Sequence, residues 1–148
     1  MPALQIWTAR VSYGGPDRLD ITRKSAGAWG IHFAPTWDLL AGALEARSRA
    51  RALRMGDHVA AAEALERAAW ETYRPAFLEE MRRSYRAKRY AWDRILSRES
   101  VTLVCYCTDA ARCHRTLFAD IFVRLGAEYL GERRAAPRDM KKSTAPAR

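Results

Sequence analysis

Residues 101–126 read VTLVCYCTDAARCHRTLFADIFVRLG, and this stretch decides the fold. Its first seven residues are almost all apolar, which is typical of a central strand that is buried on both faces. After Cys113 the apolar residues recur at helical spacing, at Leu117, Phe118, Ile121, Phe122 and Leu125. Gly126 is a natural helix stop. The stretch therefore predicts a strand, a short polar loop and a helix.

The same strand, loop and helix hold most of the reactive side chains. All three cysteines of the chain lie here, with one of its three histidines. In open α/β sheets, ligands bind where the carboxyl end of a strand faces a helix N-terminus. We therefore place the candidate site at this loop, with Cys107 at the strand end and Cys113 and His114 at the helix start. All three are candidate catalytic residues.

A thiol at a helix N-terminus meets unpaired amides and the positive end of the helix dipole. We therefore expect the pKa of Cys113 to fall and its thiol to be a nucleophile. The same loop could hold an anion on backbone amides and arginines. The residues that we expect to bind this anion are Arg112, Arg115, Thr108, Asp109 and Arg23.

Other cysteine patterns fit this loop poorly. A phosphatase loop needs an arginine six positions after the strand-end cysteine, but Cys113 stands there and Arg112 is one position short. A Cys-x-x-Cys motif is absent, because one residue separates Cys105 from Cys107. A reversible disulfide between Cys107 and Cys113 remains an alternative.

A zinc site is a further alternative, since three cysteines and His114 are possible ligands. Against it, Cys113 and His114 are adjacent, which makes it awkward for both to reach one ion. Cys105 and Cys107 also lie within a strand. We therefore predict no metal ligands and no cofactor, and we interpret Cys105 as a small core residue.

Two short strands are predicted near the N-terminus, at residues 4–13 and 18–23, with a Gly-Gly-Pro-Asp turn between them. Asp20 lies on the second strand, facing away from its apolar residues. If this strand is parallel to residues 101–107, Asp20 lies beside the same loop, where it could pair with Arg23 or Arg115 or act as a catalytic base. A structural turn aspartate is the equal alternative.

Helices fill the middle of the chain. Thr36 can cap a helix that begins at Trp37, and Asp57 can cap a second one that runs to Trp70. Pro75 is well placed in the first turn of a third, long helix. The arginines of residues 47–54 are expected on a solvated face. With a short last strand at 128–130, the order predicts an α/β fold: a single compact Rossmann-like domain whose small, mostly parallel sheet is flanked by helices that cross between strands.

The formal net charge of the chain is +9, which suggests an anionic partner. Much of this charge lies in residues 133–148, which hold six basic residues and one acidic residue. We predict an α/β domain at residues 1–132 and a basic flexible tail at 133–148. No run is apolar enough to span a bilayer and no secretory signal is recognised, so we expect a cytoplasmic location and no membrane partner.

The segment VTLVCYCTDAARCHRTLFADIFVRLGAEYLGE resembles the domain of unknown function 488 family. Cys113, His114 and Arg115 match the family's Cys-His-Arg signature at the start of a helix. RLDITR resembles its early strand that ends in an aspartate, here Asp20, and FAPTWDLL resembles a segment in which Ala-Pro-Thr opens a helix. The resemblance covers roughly residues 4–133. It implies a compact α/β domain with a Rossmann-like sheet, but no settled activity.

The sequence thus favours an α/β protein, enzyme-like in its residues, that binds an anionic ligand at the strand–loop–helix site, either a small molecule such as a nucleotide or a nucleic acid. A non-catalytic module that binds nucleic acid or protein through its basic helices and tail is one alternative, and a thiol redox protein is another. The oligomeric state is not predicted.

Overall fold

The structure is a computed structural model that describes residues 2–107 and 112–134. The described residues form the strands β1 (Gln5–Arg10), β2 (Arg18–Asp20), β3 (Ser100–Cys105) and β4 (Glu128–Arg133). They also form the helices α1 (Trp37–Met55), α2 (Val59–Ala87), α3 (Arg89–Leu96) and α4 (His114–Arg124), with a 3-10 turn at Gly30–Phe33. The strand order in the sheet is β2-β3-β1-β4, and every pairing is parallel. The predicted α/β fold is therefore confirmed.

The connection from β1 to β2 contains no helix, so the expectation that helices supply the crossovers is wrong for this connection. β2 begins opposite Thr102, partway along β3, so the chain returns only a short distance before β2 starts. Residues 11–17 are long enough for that return. Helices do cross between β2 and β3 and between β3 and β4, as the sequence predicts.

Two helix boundaries differ from the sequence expectation. Asp57 does not cap the second helix: its φ is +62°, a left-handed conformation that Asp tolerates, and it follows the end of α1. The residue that precedes α2 is His58, which makes no side-chain cap bond. The cap at Thr36 is confirmed, because its side chain accepts a hydrogen bond from the Leu39 N–H.

Pro75 does not begin a new helix but lies inside α2. A proline inside a helix removes one backbone hydrogen bond, so other interactions must hold the segment straight enough to continue. They are the stacked rings of Trp70, Tyr73 and Phe77, whose centroids are 5.8 Å apart in each successive pair. The helical run ends instead at Lys88, where α2 gives way to α3.

The core lies between the sheet and the aromatic residues of the helical segments. The fully buried rings are those of Phe33, Phe77, Trp92, Phe118 and Phe122. They pack in one cluster with the strand side chains Ile6, Val101 and Leu103. Because burying a large apolar side chain contributes about 1.5–3 kcal/mol, this cluster fixes α4 against the sheet. In residues 2–107 and 112–134, no helix is both long and apolar enough to cross a membrane.

Asp17 joins the first turn to the sheet. Its carboxylate accepts hydrogen bonds from Ser100 at 2.6 Å, Tyr13 at 2.6 Å and Thr102 at 2.9 Å. Burial raises the pKa of Asp17, but the hydrogen bonds from Ser100, Tyr13 and Thr102 and the charge of Arg133 outweigh burial, so the pKa lies below its usual range. The ionised carboxylate therefore stabilises the folded state.

The substitution Asp17→Asn should lower the free energy of unfolding at pH 7 by about 1–2 kcal/mol, because charge-assisted hydrogen bonds are lost. Urea unfolding measures this, and Asp93→Asn, which alters an exposed ion pair with Arg89, should change it by less than about 0.5 kcal/mol.

The advantage of wild type over Asp17→Asn should also depend on pH. Since the pKa of Asp17 is lower in the folded state, its contribution is complete above the ordinary value of about 3.9 and is lost as the pH falls below that value. A difference that stays constant from pH 7 to acid would contradict this account.

Candidate functional site

A cavity of about 620 Å³ lies between the hairpin of α1 and α2 and the carboxyl ends of β2 and β3. α1 contributes Trp37 and Arg47, α2 contributes Trp70, and the segment after β3 contributes Tyr106 and further residues. This is the sheet edge at which ligands bind in parallel α/β folds, so the cavity is where the sequence places the site.

Positive charge dominates the cavity wall. The cationic residues that line it are Arg23, Lys24, Arg47, Arg51 and Arg112. Among the described lining residues the one carboxylate is Glu66, and Arg54 already binds both of its oxygens, at 2.6 and 2.7 Å. The hydrogen bond from Arg54 and the charges of nearby arginines, Arg112 included, hold the pKa of Glu66 below its usual range. The wall therefore has an excess of positive charge at neutral pH.

Aromatic rings form another part of the wall. Trp37 is 60% exposed and Tyr106 is 47% exposed, although each lines the cavity. Trp70 and Tyr73 line it from α2 and stack on each other. Lys24 lies over the Tyr106 ring, with its nitrogen 5.9 Å from the ring centroid. The cavity thus combines flat apolar surfaces with cations.

Three of these cations, Lys24, Arg47 and Arg51, were not predicted as site residues. Arg47 and Arg51 belong to the arginine run that the sequence suggests is a solvated face, but both line the cavity. The signal was present in their spacing, because positions 40, 44, 47 and 51 share one side of a helix and all four residues line the cavity. The sequence alone does not show where α1 lies relative to the carboxyl ends of the strands.

Beside the cavity, three sulfurs and one imidazole lie together. The donor atoms of Cys105, Cys107, Cys113 and His114 are all within 4.8 Å of one another. The shortest distance among them is 2.6 Å, between the sulfurs of Cys105 and Cys113. All three cysteines are free thiols. We call these four residues the thiol cluster.

Local structure explains why the thiol cluster assembles. Cys105 is the last residue of β3 and Cys107 follows two positions later, so both can point to the same side. Cys113 has an extended backbone (φ −140°, ψ 144°), and its sulfur accepts a hydrogen bond from the Arg115 N–H at 3.5 Å as the N-cap of α4. Because His114 is already helical, its side chain can converge with that of Cys113. The objection that adjacent residues could not reach one point therefore fails.

His114 is held in one tautomer. Its Nε2 lies 2.9 Å from the carbonyl oxygen of Ile21, which can only accept, so Nε2 carries the proton. Nδ1 then has a free lone pair, and it lies 3.9 Å from the Cys113 sulfur. The imidazole is thus oriented with Nε2 toward the Ile21 carbonyl and Nδ1 toward the sulfurs.

The three thiols do not ionise equally. Hydrogen bonds from Cys105 and Cys113 lower the pKa of Cys107 far below its usual range despite its burial, and Arg47 donates to its sulfur at 3.5 Å. The hydrogen bond to Cys107 raises the pKa of Cys105 to about 11. Burial and the two neighbouring thiols raise the pKa of Cys113, so the expected fall at the helix N-terminus is wrong.

Arg115 is fully buried and does not line the cavity, contrary to the expectation that it binds an anion there. Its guanidinium donates to both carboxylate oxygens of Glu132, at 3.2 and 2.7 Å. It also donates to the Cys107 carbonyl at 2.8 Å and to the sulfurs of Cys105 and Cys113 at 3.1 and 3.3 Å. Because each of the three guanidinium nitrogens has a partner, Arg115 joins β3, α4 and β4.

Asp20 takes the structural role that was its alternative. It ends β2 beside β3, as expected, but its carboxylate accepts hydrogen bonds from Thr22 and Ser25 and closes the turn after β2. Its ion pair is with Arg18, at 4.0 Å, and not with Arg23 or Arg115. Burial raises the pKa of Asp20, but these hydrogen bonds outweigh it and lower the pKa overall. Asp20 does not line the cavity.

The other predicted residues divide into two groups. Arg23 and Arg112 line the cavity, and the Arg23 guanidinium is held by the carbonyl oxygens of Pro35 and Ala34 at 2.7 and 3.3 Å. Thr108 and Asp109 lie outside the described residues. The catalytic roles of Cys107, Cys113 and His114 stay predictions, although all three line the cavity.

The predicted tail boundary falls within β4, which ends at Arg133.

Comparison with protein families identifies this domain. The family model DUF488-N3a, described as the active DUF488-N3 subclade, matches residues 1–126. The chain therefore belongs to this family, and the resemblance noted from the Cys-His-Arg motif is confirmed. No curated protein and no solved structure gives a significant match to the chain.

The substitution Glu132→Gln should lower the free energy of unfolding by about 2–4 kcal/mol, because it leaves the buried charge of Arg115 without its anion. Urea unfolding at pH 7 measures the loss. Glu128→Gln, an exposed position on the same strand, should change stability by less than about 0.5 kcal/mol. Equal stability of the two variants would show that Arg115 does not depend on this pair.

Proposed function

We propose that this member of the DUF488-N3a subclade binds a nucleotide in the cavity between the α1–α2 hairpin and the carboxyl ends of β2 and β3. The observation that carries the proposal is the composition of the wall, whose described residues combine five cations and aromatic faces with one carboxylate, Glu66, that is already paired. A nucleotide offers the complementary groups: an anionic phosphate and a flat ring.

The phosphate would be recognised by the arginines of α1. Arg47 and Arg51 are four positions apart, so both point into the cavity from successive turns of the helix. Arg112 approaches from the segment before α4. Guanidinium groups form paired, charge-assisted hydrogen bonds with phosphate oxygens, and such bonds are about twice as strong as neutral ones.

The ring would be recognised by the exposed aromatic side chains. Large apolar side chains at a protein surface mark binding sites when they gather in a concave, polar-rimmed region. Trp37 and Tyr106 meet this description, since each is about half exposed and lines the cavity. Stacking a base on an aromatic side chain contributes about 1–3 kcal/mol.

The size of the cavity favours one small molecule. Its volume of about 620 Å³ falls within the range of about 300–1,000 Å³ that is usual for ligand pockets. A mononucleotide fits such a volume, while a longer nucleic acid strand would have to extend beyond it. We therefore favour a nucleotide over a polymer.

Isothermal titration calorimetry with adenosine monophosphate, adenosine and inorganic phosphate tests the proposal. The nucleotide should bind more tightly than either fragment, because it alone satisfies both parts of the wall. Arg47→Ala and Arg51→Ala should each weaken its binding about tenfold or more, since each removes a charge-assisted contact.

Arg49→Ala is the matched control, because Arg49 is exposed on the same helix but does not line the cavity. It should change the affinity by less than about twofold. Binding that is equal in all three arginine variants, or absent in the wild type for all three probes, would refute the proposal.

Removing residues 135–148 separates the cavity from the basic tail. The shortened chain should bind adenosine monophosphate within about twofold of the full chain, because all of the proposed contacts are made by residues before position 135. A single-stranded oligonucleotide, measured in parallel, should lose affinity and some of its salt dependence with the tail. If binding of adenosine monophosphate itself disappears with the tail, the nucleotide site is not in the cavity.

A further inference from the structure

We propose that the thiol cluster, Cys105, Cys107, Cys113 and His114, holds one divalent transition-metal ion, with zinc as the best match. Three cysteine sulfurs and one imidazole nitrogen form a donor set that binds zinc with four tetrahedral ligands. Their donor atoms already lie within 4.8 Å of one another. This inference does not rest on the proposed nucleotide site.

The distances require little rearrangement. In a tetrahedral site with zinc–sulfur bonds of about 2.3 Å, neighbouring sulfurs lie about 3.8 Å apart. The Nδ1 of His114 and the sulfur of Cys113 are 3.9 Å apart, which already suits two ligands of one ion. The sulfurs of Cys105 and Cys113, at 2.6 Å, would have to separate by about 1 Å. A small rotation about the side-chain bonds provides that movement.

His114 carries the second feature of a metal ligand. Histidines that bind metals usually donate their other ring N–H to a carbonyl or carboxylate, which fixes the tautomer and the ring orientation. Nε2 of His114 donates to the Ile21 carbonyl at 2.9 Å, and Nδ1 therefore presents its lone pair to the sulfurs.

Arg115 provides the third feature. Three thiolates and a neutral imidazole around a divalent ion carry a net charge of −1, and in a buried place such thiolates need hydrogen-bond donors. The fully buried Arg115 donates N–H groups to the sulfurs of Cys105 and Cys113 at 3.1 and 3.3 Å. Hydrogen bonds of this kind to ligand atoms are typical of the groups that surround a metal site.

The ion would have a structural role, and it would lie next to the cavity. It would join the end of β3 to the start of α4, and through the His114–Ile21 hydrogen bond it would also fix the chain just after β2. Four protein ligands leave no open position on the ion, as in structural zinc sites. Cys107, Cys113 and His114 line the cavity, so the ion would stiffen this part of its wall.

Cobalt titration of the reduced, chelator-treated full chain tests the proposal, because cobalt reports its ligands by absorption. One equivalent should saturate the protein, with thiolate-to-cobalt charge-transfer bands in the near ultraviolet and the visible bands of a tetrahedral ion. One equivalent of zinc should displace the cobalt, and native mass spectrometry should show one zinc per chain. Zinc should also protect all three thiols from alkylation.

Variants assign the ligands. Cys107→Ser is preferred among the cysteine variants, because Cys107 is the least buried of the three. It should weaken metal binding more than about 100-fold and reduce the charge-transfer absorption by about one third. His114→Ala should also weaken binding, while His58→Ala, at an exposed histidine before α2, should bind as the wild type does. Circular dichroism checks that each variant is folded.

Three results would overturn the proposal. The first is the absence of saturable one-to-one binding by the reduced wild-type chain. The second is unchanged affinity in folded Cys107→Ser and His114→Ala variants. The third is a disulfide between Cys105 and Cys113 that forms in air even with equimolar zinc present, seen as a mass loss of two hydrogens and one alkylatable thiol, because the cluster would then be a redox pair.

Discussion

The buried guanidinium of Arg115 is the interaction on which the sheet edge depends. It lies at the start of α4, binds both oxygens of Glu132 on β4 and donates to the carbonyl of Cys107 after β3. A charge with no exposed surface is costly unless it is paired and hydrogen-bonded, and here the carboxylate, the carbonyl and two sulfurs provide a partner for each guanidinium nitrogen. Three elements are thereby fixed relative to one another, and the cavity is built against them.

The cavity follows from this framework and from the helical hairpin. β3 is buried on both faces. The chain therefore reaches the surface only after the carboxyl end of this strand, where Cys107 is half-buried. The α1–α2 hairpin then faces that edge, and Arg47 reaches the Cys107 sulfur at 3.5 Å. The cationic side of α1 and the thiol cluster are therefore parts of one site, although some sixty residues separate them in the chain.

Much of the fold could be predicted from local patterns. Residues 101–126 specify β3 and α4 because apolar periodicity changes from a continuous run to helical spacing, and Gly126 ends the segment with a φ of +103°. Pro75 misled because proline is common in a first helical turn, whereas α2 continues past it, and Phe77 of α2 packs against His114 and Phe118 of α4 in tertiary contacts that no local pattern shows. The prediction at Asp57 failed because this residue belongs to the end of α1, where its φ is +62°, and His58 is the residue that precedes α2.

The sequence predicted where the candidate site lies, but not what each of its residues contacts. The clustering of cysteines before a helix identified the carboxyl ends of the strands, and Arg23 and Arg112 line the cavity there. The sequence did not show that Arg115 is buried, because its burial depends on β4 and no local pattern connects Arg115 with that strand. Arg47 and Arg51 were missed because the packing of α1 is set at long range.

The most direct test of the account is a crystal structure of the reduced protein with adenosine monophosphate. The account predicts phosphate density between Arg47, Arg51 and Arg112, with the base against Trp37 or Tyr106 and Arg115 still paired with Glu132. Nucleotide density outside the cavity, or an Arg115 that turns from Glu132 to the phosphate, would contradict it.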